Sequence, residues 1–551
     1  MDIAINNALM PDFNRMKWLK GHIGIEEGKI IKISSQKLNA KKILNAEEKV
    51  VSPGLIDCHC HIESSYLTPY YFGQLVANCG TLQAVADCHE IANVAGLSGV
   101  KYFVENAKLT DISINFAASS CVPASPFVRG GGSLSVKDIS ELIQMKAVIA
   151  LGELMDINGV INKDQRILSI VDLARNLNKR INGHAAGLTG EKLLEYVNIG
   201  RINDDHENET AIEIEEKLKA GLKIFLREGS AATTELKAYR LAEKYPDDLM
   251  YCTDDKTAAD ILEKGHINFH LKKAVTAGLD PLLALRLGTF NGYKYYNLEG
   301  GTIEEGNHAN LVVFNDAISF EPSFIITKGN LYKEKYNKFY IPEELLHSIN
   351  VAEPMIFPKL KGEAKNLVMT VQEGSLITGK EKLSVLIPKE NTKNNTIKNS
   401  DYLVENDILK IINIDRYGKK SKAAARIKGF GLKKGAIGSS LSHDCHNIIA
   451  LGTDDNNLKA VVKKILQIQG GLVCFDEKNY YILKLNIGGI ISKNSPQKIK
   501  LNMDRLNKCV KEMGSALEEP FALLSFMALE VIPHLKLTCK GLFDVDLNEL
   551  L

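Results

Sequence analysis

The sequence predicts an α/β chain organised around a (β/α)8 barrel of TIM type, with a small β-sandwich built from both flanks of the barrel and an additional C-terminal α+β domain. Three observations predict it. Between residues 51 and 299, short apolar runs alternate with helix-patterned stretches, and strand–helix alternation implies a parallel sheet. The span matches the size of about 250 residues usual for such a barrel. Polar residues gather at the ends of the apolar runs, as in IDCHCH, ADCHE, LGE, NGH and CTDD. A barrel of this type carries its chemistry there, on the C-terminal face of its strands.

The elements follow in order. Residues 22–34, HIGIEEGKIIKIS, alternate in polarity around a Glu-Gly turn, the pattern of a β-hairpin. At 48–58, EKVVSPGLIDC, an apolar run bounded by charges suits a buried strand. Further candidate strands are TLQAVAD (81–87), SINFAAS (113–119), AVIALGE (147–153), INGH (181–184), KIFLRE (223–228) and LMYCTDD (249–255). Between them lie helix-like stretches such as DQRILSIVDLARNLN (164–178) and ETAIEIEEKLKAG (209–221). Past residue 300, GGTIEEGNHANLVVFN (300–315) reads as a glycine-punctuated hairpin ending in a buried strand. It can pair with the N-terminal hairpin, so residues 1–50 and 300–345 are expected to form one composite β-sandwich domain beside the barrel of 51–299. Residues 350–551 are expected to form a further domain, rich in short β signals (LVMTVQ, KLSVLI, LKIINI). Within it, PKENTKNNTIKNSD (388–401) reads as a polar loop between strands.

Composition narrows the function. Lys and Arg number 68 against 67 Asp and Glu, for a net charge of +1, so no global field favours nucleic acid or an anionic membrane. No basic stripe or aromatic platform marks a nucleic-acid surface. The longest uncharged stretch, Ser64 to Ala86, contains Ser, Thr, Pro, Asn, Gln and Gly and is too polar for a membrane helix. The N-terminal residues MDIAINNALMPDF lack a signal-peptide pattern. The ten Cys of the chain lack dense spacing and read as reduced thiols. A soluble cytoplasmic protein is expected.

The strongest local signal is His59-x-His61 directly after a buried run. Residues two apart on a strand point the same way, so two imidazoles at this spacing can grip one metal ion. Glu153 closes AVIALGE, His184 closes INGH, His206 follows INDD and Asp254 follows YCT. Four imidazoles and two carboxylates at strand ends suit Zn, Mn or Fe(II), and suffice for two ions. Two metals about 3.5–4 Å apart can activate water between them. An Asp beside that water can take its proton and pass it to a leaving group. His443 and His446 in SHDCHN form a second His pair, readable as a metal fragment or an internal hydrogen-bond cluster. His266 and His270 share a helix face, but the zinc-protease pattern needs a Glu after the first His, and Ile267 stands there. His22, His308, His347 and His534 read as ordinary surface or hinge positions. Cys58, Cys60, Cys88 and Cys252 adjoin ligand candidates; alternation along the strand is expected to turn Cys58 and Cys60 away from the metal into packing.

These residues resemble the metal-dependent amidohydrolases and, within them, the bacterial and archaeal adenine deaminases. The resembling stretches are PGLIDCHCHIESSYLTP (53–69), DCHEIANVAG (87–96), LGELMDINGVI (151–161), GHAAGLTG (183–190), DDHE (204–207), LREGSAA (226–232), CTDDKTAADILEKGHIN (252–268) and IKGFGLKKGAIGSSLSHDCHNIIALGTDD (427–455). The resemblance covers nearly the whole length and implies a metallo-hydrolase barrel acting on adenine. It implies two divalent ions per subunit, Mn2+ or Fe2+, with Zn2+ as an alternative. His59 and His61 would hold the first and His184 and His206 the second. Glu153 would bridge them, at a place where many amidohydrolases carry a carboxylated Lys. Asp254 would be ligand and proton shuttle, with His206 and Glu207 beside it in the catalytic set. His89, with Glu90, would hold an additional metal or orient the base. Glu63, Arg227, Glu228, Ser230, His443 and His446 would contact substrate or support those that do, with the SHDCHN segment over the barrel mouth. Cys88 and Ala186 stand where the family more often shows Pro, and Asn310 where Asp is usual; none of these removes a ligand. The resemblance also suggests a homodimer or larger assembly, a small-molecule substrate, and neither nucleic-acid nor membrane partners. The competing readings are another amidohydrolase activity, on a cyclic amide or N-acyl substrate, and a non-catalytic scaffold of the same fold.

Overall fold

The computed structural model describes residues 1–124, 128–335, 338–351, 357–386 and 403–551; the loop expected at 388–401 lies outside them. Eight parallel strands form the central barrel: β1 (Leu55–Cys60), β2 (Thr81–Asp87), β3 (Ser113–Ala118), β4 (Val148–Leu151), β5 (Arg180–Ile181), β6 (Asp204–Asp205), β7 (Lys223–Arg227) and β8 (Leu249–Cys252). They pair in two runs, β1 to β5 and β6 to β8. Single parallel bridges close the ring: Asn182 with Asp204 between β5 and β6, and Cys60 with Asp254 between β8 and β1.

Period-two alternation sorts the strand residues. Ile56, Val85, Ala117, Ala150, Phe225 and Met250, from six strands, meet in one apolar cluster with Tyr293, Tyr295 and Tyr296. Their neighbours Leu55, Ala84, Phe116, Leu226 and Leu249 pack into the larger core beneath the helices. Burial on both faces is why these strands read as near-continuous apolar runs. The intervening helices begin on capping side chains: Thr68, Asp164, Thr210 and Thr257 each accept from a backbone N–H of the first turn, a contribution of about 1 kcal/mol apiece.

Several strands differ from the expected runs. INGH contributes only Arg180–Ile181, and LMYCTDD ends at Cys252, because Asp254 takes a left-handed conformation (φ 54) that leaves the strand. EKVVSPGLIDC is two strands. Val50–Pro53 pairs with Leu311–Phe314 outside the barrel, and β1 starts after Gly54. A Cβ on Gly54 would stand 2.6 Å from Leu82 Cβ, so the crossing from outer sheet to barrel needs glycine.

The outer sheet runs in the order Asn330–Leu331, Pro322–Thr327, Leu311–Phe314, Val50–Pro53, Ile3–Asp12, Lys17–Glu26, Lys29–Ser34, with Lys42–Asn45 also against Ile3–Asp12. The expected N-terminal hairpin turns on Glu27 and Gly28, both at positive φ (48 and 78), as a two-residue type I′ turn requires. Of 300–315 only Leu311–Phe314 is a strand; Gly300, Gly301 and Gly306 turn at positive φ instead. That segment meets the hairpin at one bridge, Lys29 with His308.

A second sheet gathers Gly379–Lys382, Leu367–Thr370, Lys422–Lys428, Ile408–Ile414, Ile448–Gly452, Ala436–Ser439, Gly471–Phe475 and Tyr480–Lys484, in that spatial order. The helices Asp455–Ile468 and Pro496–Glu512 pack against it. KLSVLI, expected as β, winds a helical turn at Leu383–Leu386. The turn brings Leu383 and Leu386 to one face, against Val368 and Ile408. This part of the chain reaches the barrel: Pro496–Glu512 packs on the helix Ala258–Lys264, and Ser492 N donates to Tyr66 O (2.9 Å). Among the described residues, no helix is long and apolar enough to cross a membrane.

Candidate metal centre

His59 is the penultimate residue of β1 and His61 lies just past its end. The register of β1 against β2 shifts between Asp57 and Cys60, and Asp57 pins the shifted backbone. Its Oδ1 accepts from His59 N (3.2 Å) and Thr253 N (3.1 Å), and its Oδ2 from Thr253 Oγ1 (2.5 Å). Both imidazoles then converge, with Nε2 atoms 3.1 Å apart. Both cysteines lie in apolar packing, and the shift places them in different clusters. Cys60 packs beneath the helices. Cys58 lies in the barrel's inner cluster with Ile56, two residues before it, and with Cys252.

Glu153 stands at the middle. Its Oε1 lies 3.0 Å from Nε2 of both His59 and His61. Its Oε2 lies 2.6 Å from His184 Nδ1 and 3.7 Å from His206 Nε2. Asp87 sets this position, accepting from Glu153 N (3.0 Å) and Ser119 Oγ (2.5 Å). Burial works against the Glu153 charge, but the imidazoles of His59 and His184 hold its carboxyl well below the usual range. Burial likewise works against a charged His59, and Glu153 and Asp254 nonetheless raise it to about 10. His206 is kept neutral, by burial first and then by the charge of His59.

Asp254 completes the ring. Its Oδ1 lies 3.2 Å from His61 Nε2, 3.5 Å from His59 Nε2 and 3.8 Å from His206 Nε2. Its Oδ2 accepts from Arg227 Nη1 (3.0 Å), which also donates to Glu207 Oε1 (2.5 Å). Glu207 Oε1 is 4.0 Å from His184 Nδ1 and 3.9 Å from His206 Nε2. The buried guanidinium thus faces one carboxylate at the His59–His61 side and one at the His184–His206 side.

A neighbouring group gathers at the end of β2. His89 Nδ1 is 3.7 Å from Asp87 Oδ1, and the His61 and His89 rings lie 4.6 Å apart between centroids. Glu90 faces His443 and His446, and His89 faces Asp444. The SHDCHN segment therefore sits at the barrel mouth. Glu63 Oε1 accepts from Ile91 N (3.0 Å), and burial together with the Glu90 charge raises its carboxyl to about 8.

Two expected site residues are engaged elsewhere. Glu228 pairs with Lys273, and Ser230 Oγ donates to Asp260 (3.2 Å), itself paired with Lys256 (2.6 Å). Asp57, Asp87, Asp255 and Asp444 were not singled out from sequence. Asp57, Asp87 and Asp255 are acids inside IDCHCH, ADCHE and CTDD, and Asp444 lies between the histidines of SHDCHN.

The donor set fits divalent metal. Ligands bonded tetrahedrally at 2.0–2.2 Å stand about 3.3–3.6 Å from one another, and His59, Glu153, His206 and Asp254 present four buried ligand atoms within 4.8 Å of one another. Glu153 Oε1 and both ring nitrogens of His206 are buried without a hydrogen-bond partner. Each such atom costs roughly 1–3 kcal/mol, a cost a bound cation offsets.

The chain is similar to known proteins over nearly its whole length. The amidohydrolase family model matches residues 50–333. A model described as the adenine deaminase C-terminal domain matches residues 377–549. A protein named adenine deaminase from Desulfatibacillum aliphaticivorans is 35% identical, covering 99% of this chain and 96% of its own. One of that name from Methanosphaera stadtmanae is 36% identical, covering 94% and 95%. Another from Borreliella afzelii is 36% identical, covering 95% of each.

Proposed function

Because the chain belongs to the amidohydrolase family and, within it, to the adenine deaminases, we propose how its own residues carry out that reaction. The activity is metal-dependent hydrolysis of adenine to hypoxanthine and ammonia. The observation that carries the site assignment is Glu153, whose two oxygens each face a pair of imidazoles.

His59, His61 and Asp254 would hold one divalent ion and His184 and His206 a second, with Glu153 offering an oxygen to each side. Mn2+ or Fe2+ suits this mixed N/O set, with Zn2+ as an alternative. When bound, such ions supply Lewis acidity that readies water for attack near neutral pH. The Asp254 carboxylate takes the proton of the attacking water, held in place by the bond from Arg227 to its Oδ2. It then delivers that proton to the leaving amine as ammonia departs from C6. Glu207, anchored on the same guanidinium, exchanges a proton with the purine ring. Glu63, His443 and His446 form the wall of the pocket, and Glu228 and Ser230 act on it through the loop they anchor. In this reading residues 51–299 are the catalytic barrel, residues 1–50 and 300–345 a composite flanking sandwich, and residues 350–551 a domain that closes the mouth.

The test is loss of adenine absorbance on conversion to hypoxanthine by Mn2+- or Fe2+-loaded protein, run beside adenosine, guanine and a hydantoin. Turnover of adenine above the others is expected. Turnover of the hydantoin and not of adenine would overturn the reading.

A further inference from the structure

The junction between barrel and C-terminal segment holds a second cluster of ligating side chains. His89 and Glu90 come from the start of the helix His89–Ala107, and His443, Asp444 and His446 from the loop after Ala436–Ser439. All are nearly inaccessible: Glu90 is 1% exposed, Asp444 2% and His446 0%. Yet both oxygens of Glu90, both of Asp444, Nε2 of His446 and Nδ1 of His89 lack hydrogen-bond partners. One pair stands within hydrogen-bonding distance and the others are wider apart. His443 Nδ1 lies 2.6 Å from Glu90 Oε1. His89 Nε2 lies 3.6 Å from Asp444 Oδ1 and 3.8 Å from Glu90 Oε1. His443 Nδ1 lies 3.8 Å from Asp444 Oδ1. Four ligand atoms thus gather at the junction, with three of these separations near the spacing of ligands on one ion. Burying two carboxylates side by side costs several kcal/mol unless a cation is set between them.

We propose that His89 and Glu90 of the barrel, with His443 and Asp444 of the C-terminal segment, bind a further divalent cation that fastens this segment over the barrel mouth. His446 Nε2, 3.7 Å from Glu90 Oε2, faces the carboxylate's other oxygen. Two imidazoles and two carboxylates suit Mn2+, Fe2+ or Zn2+. The site adds to the ions around Glu153 and depends on that reading only for the total count.

The experiment is metal analysis of the Mn2+-loaded full chain, with anomalous diffraction at the manganese edge. The wild type is expected to hold three ions. Glu90→Gln and Asp444→Asn, each of unchanged shape, are expected to hold two and to lose the peak between His89 and Asp444 alone. His184→Ala is expected to keep that peak while losing an ion beside Glu153, which separates the two readings. Two outcomes overturn the proposal. One is anomalous density confined to the Glu153 centre in the wild type. The other is an unchanged ion count in both junction variants, including the case where their KM for adenine rises, which would make these groups substrate contacts.

Discussion

Asp254 occupies a conformation that few side chains accept. Its φ of 54 is left-handed, a region where Asp and Asn are enriched. Asp254→Asn therefore keeps the backbone, the shape and an oxygen for Arg227, and removes the proton acceptor together with the charge offered to the metal. Positioned acid–base groups contribute about 10²–10⁴-fold, so kcat should fall by that factor while the melting temperature barely moves. Near-full kcat would remove Asp254 from its proposed role. A second residue sets a pH response. Lys536 is fully buried, its Nζ donating to Leu376 O (2.9 Å) and Phe526 O (3.3 Å), and burial lowers it to about 7. Unfolded, it titrates near 10.4. Between those values the unfolded chain binds one proton more than the folded chain, so stability rises with pH. Relative to Lys536→Met, the wild type should gain about 1.4 kcal/mol per pH unit from pH 7 towards 10. Melting both proteins at pH 7, 8 and 9 checks this; parallel curves would contradict it.

At the scale of elements, Gly152 decides where Glu153 goes. A Cβ there would lie 2.0 Å from Asp87 Oδ2, the oxygen that accepts from Glu153 N. Gly152→Ala must displace that carboxylate, an overpacking cost of about 1–3 kcal/mol. Metal content and kcat/KM should drop more than tenfold; normal metal content would show that Asp87 does not position Glu153. The barrel and its ligand-bearing ends were legible because apolar runs stop abruptly at His or carboxylate. β6 was harder to read: Asp204 and Asp205 are acids in a strand position. Only the fold supplies their partners, Tyr295 and Asn182 for the first, Lys217 for the second. The sequence could not assign Glu228 and Ser230 to Lys273 and Asp260, since those pairs form between loops that meet only in the folded barrel. KLSVLI carried β-type composition, and its two leucines were claimed by a helical turn.

Across the whole molecule, the buried imidazoles and carboxylates of the mouth join the barrel to the C-terminal sheet. Ligand binding to the native state alone stabilises by mass action, about 2.7 kcal/mol at a hundredfold excess over Kd. Stripping divalent ions with a chelator should lower the melting temperature by several degrees, and adding Mn2+ back should restore it. A chelated protein that melts with the untreated one would speak against ion binding here.

The seam between β1 and β8 closes through residues assigned to the metal. His61 N donates to Asp254 O (3.0 Å), and Asp254 N to His59 O (3.0 Å). The last joint of the ring and the first clamp on the ion are thus the same three amino acids. A chain that has not shut its barrel has nothing to load, so maturation itself discriminates finished from unfinished molecules. Nor can the ring part at that joint without dispersing the chemistry, which makes an open barrel with an assembled centre unavailable to this architecture.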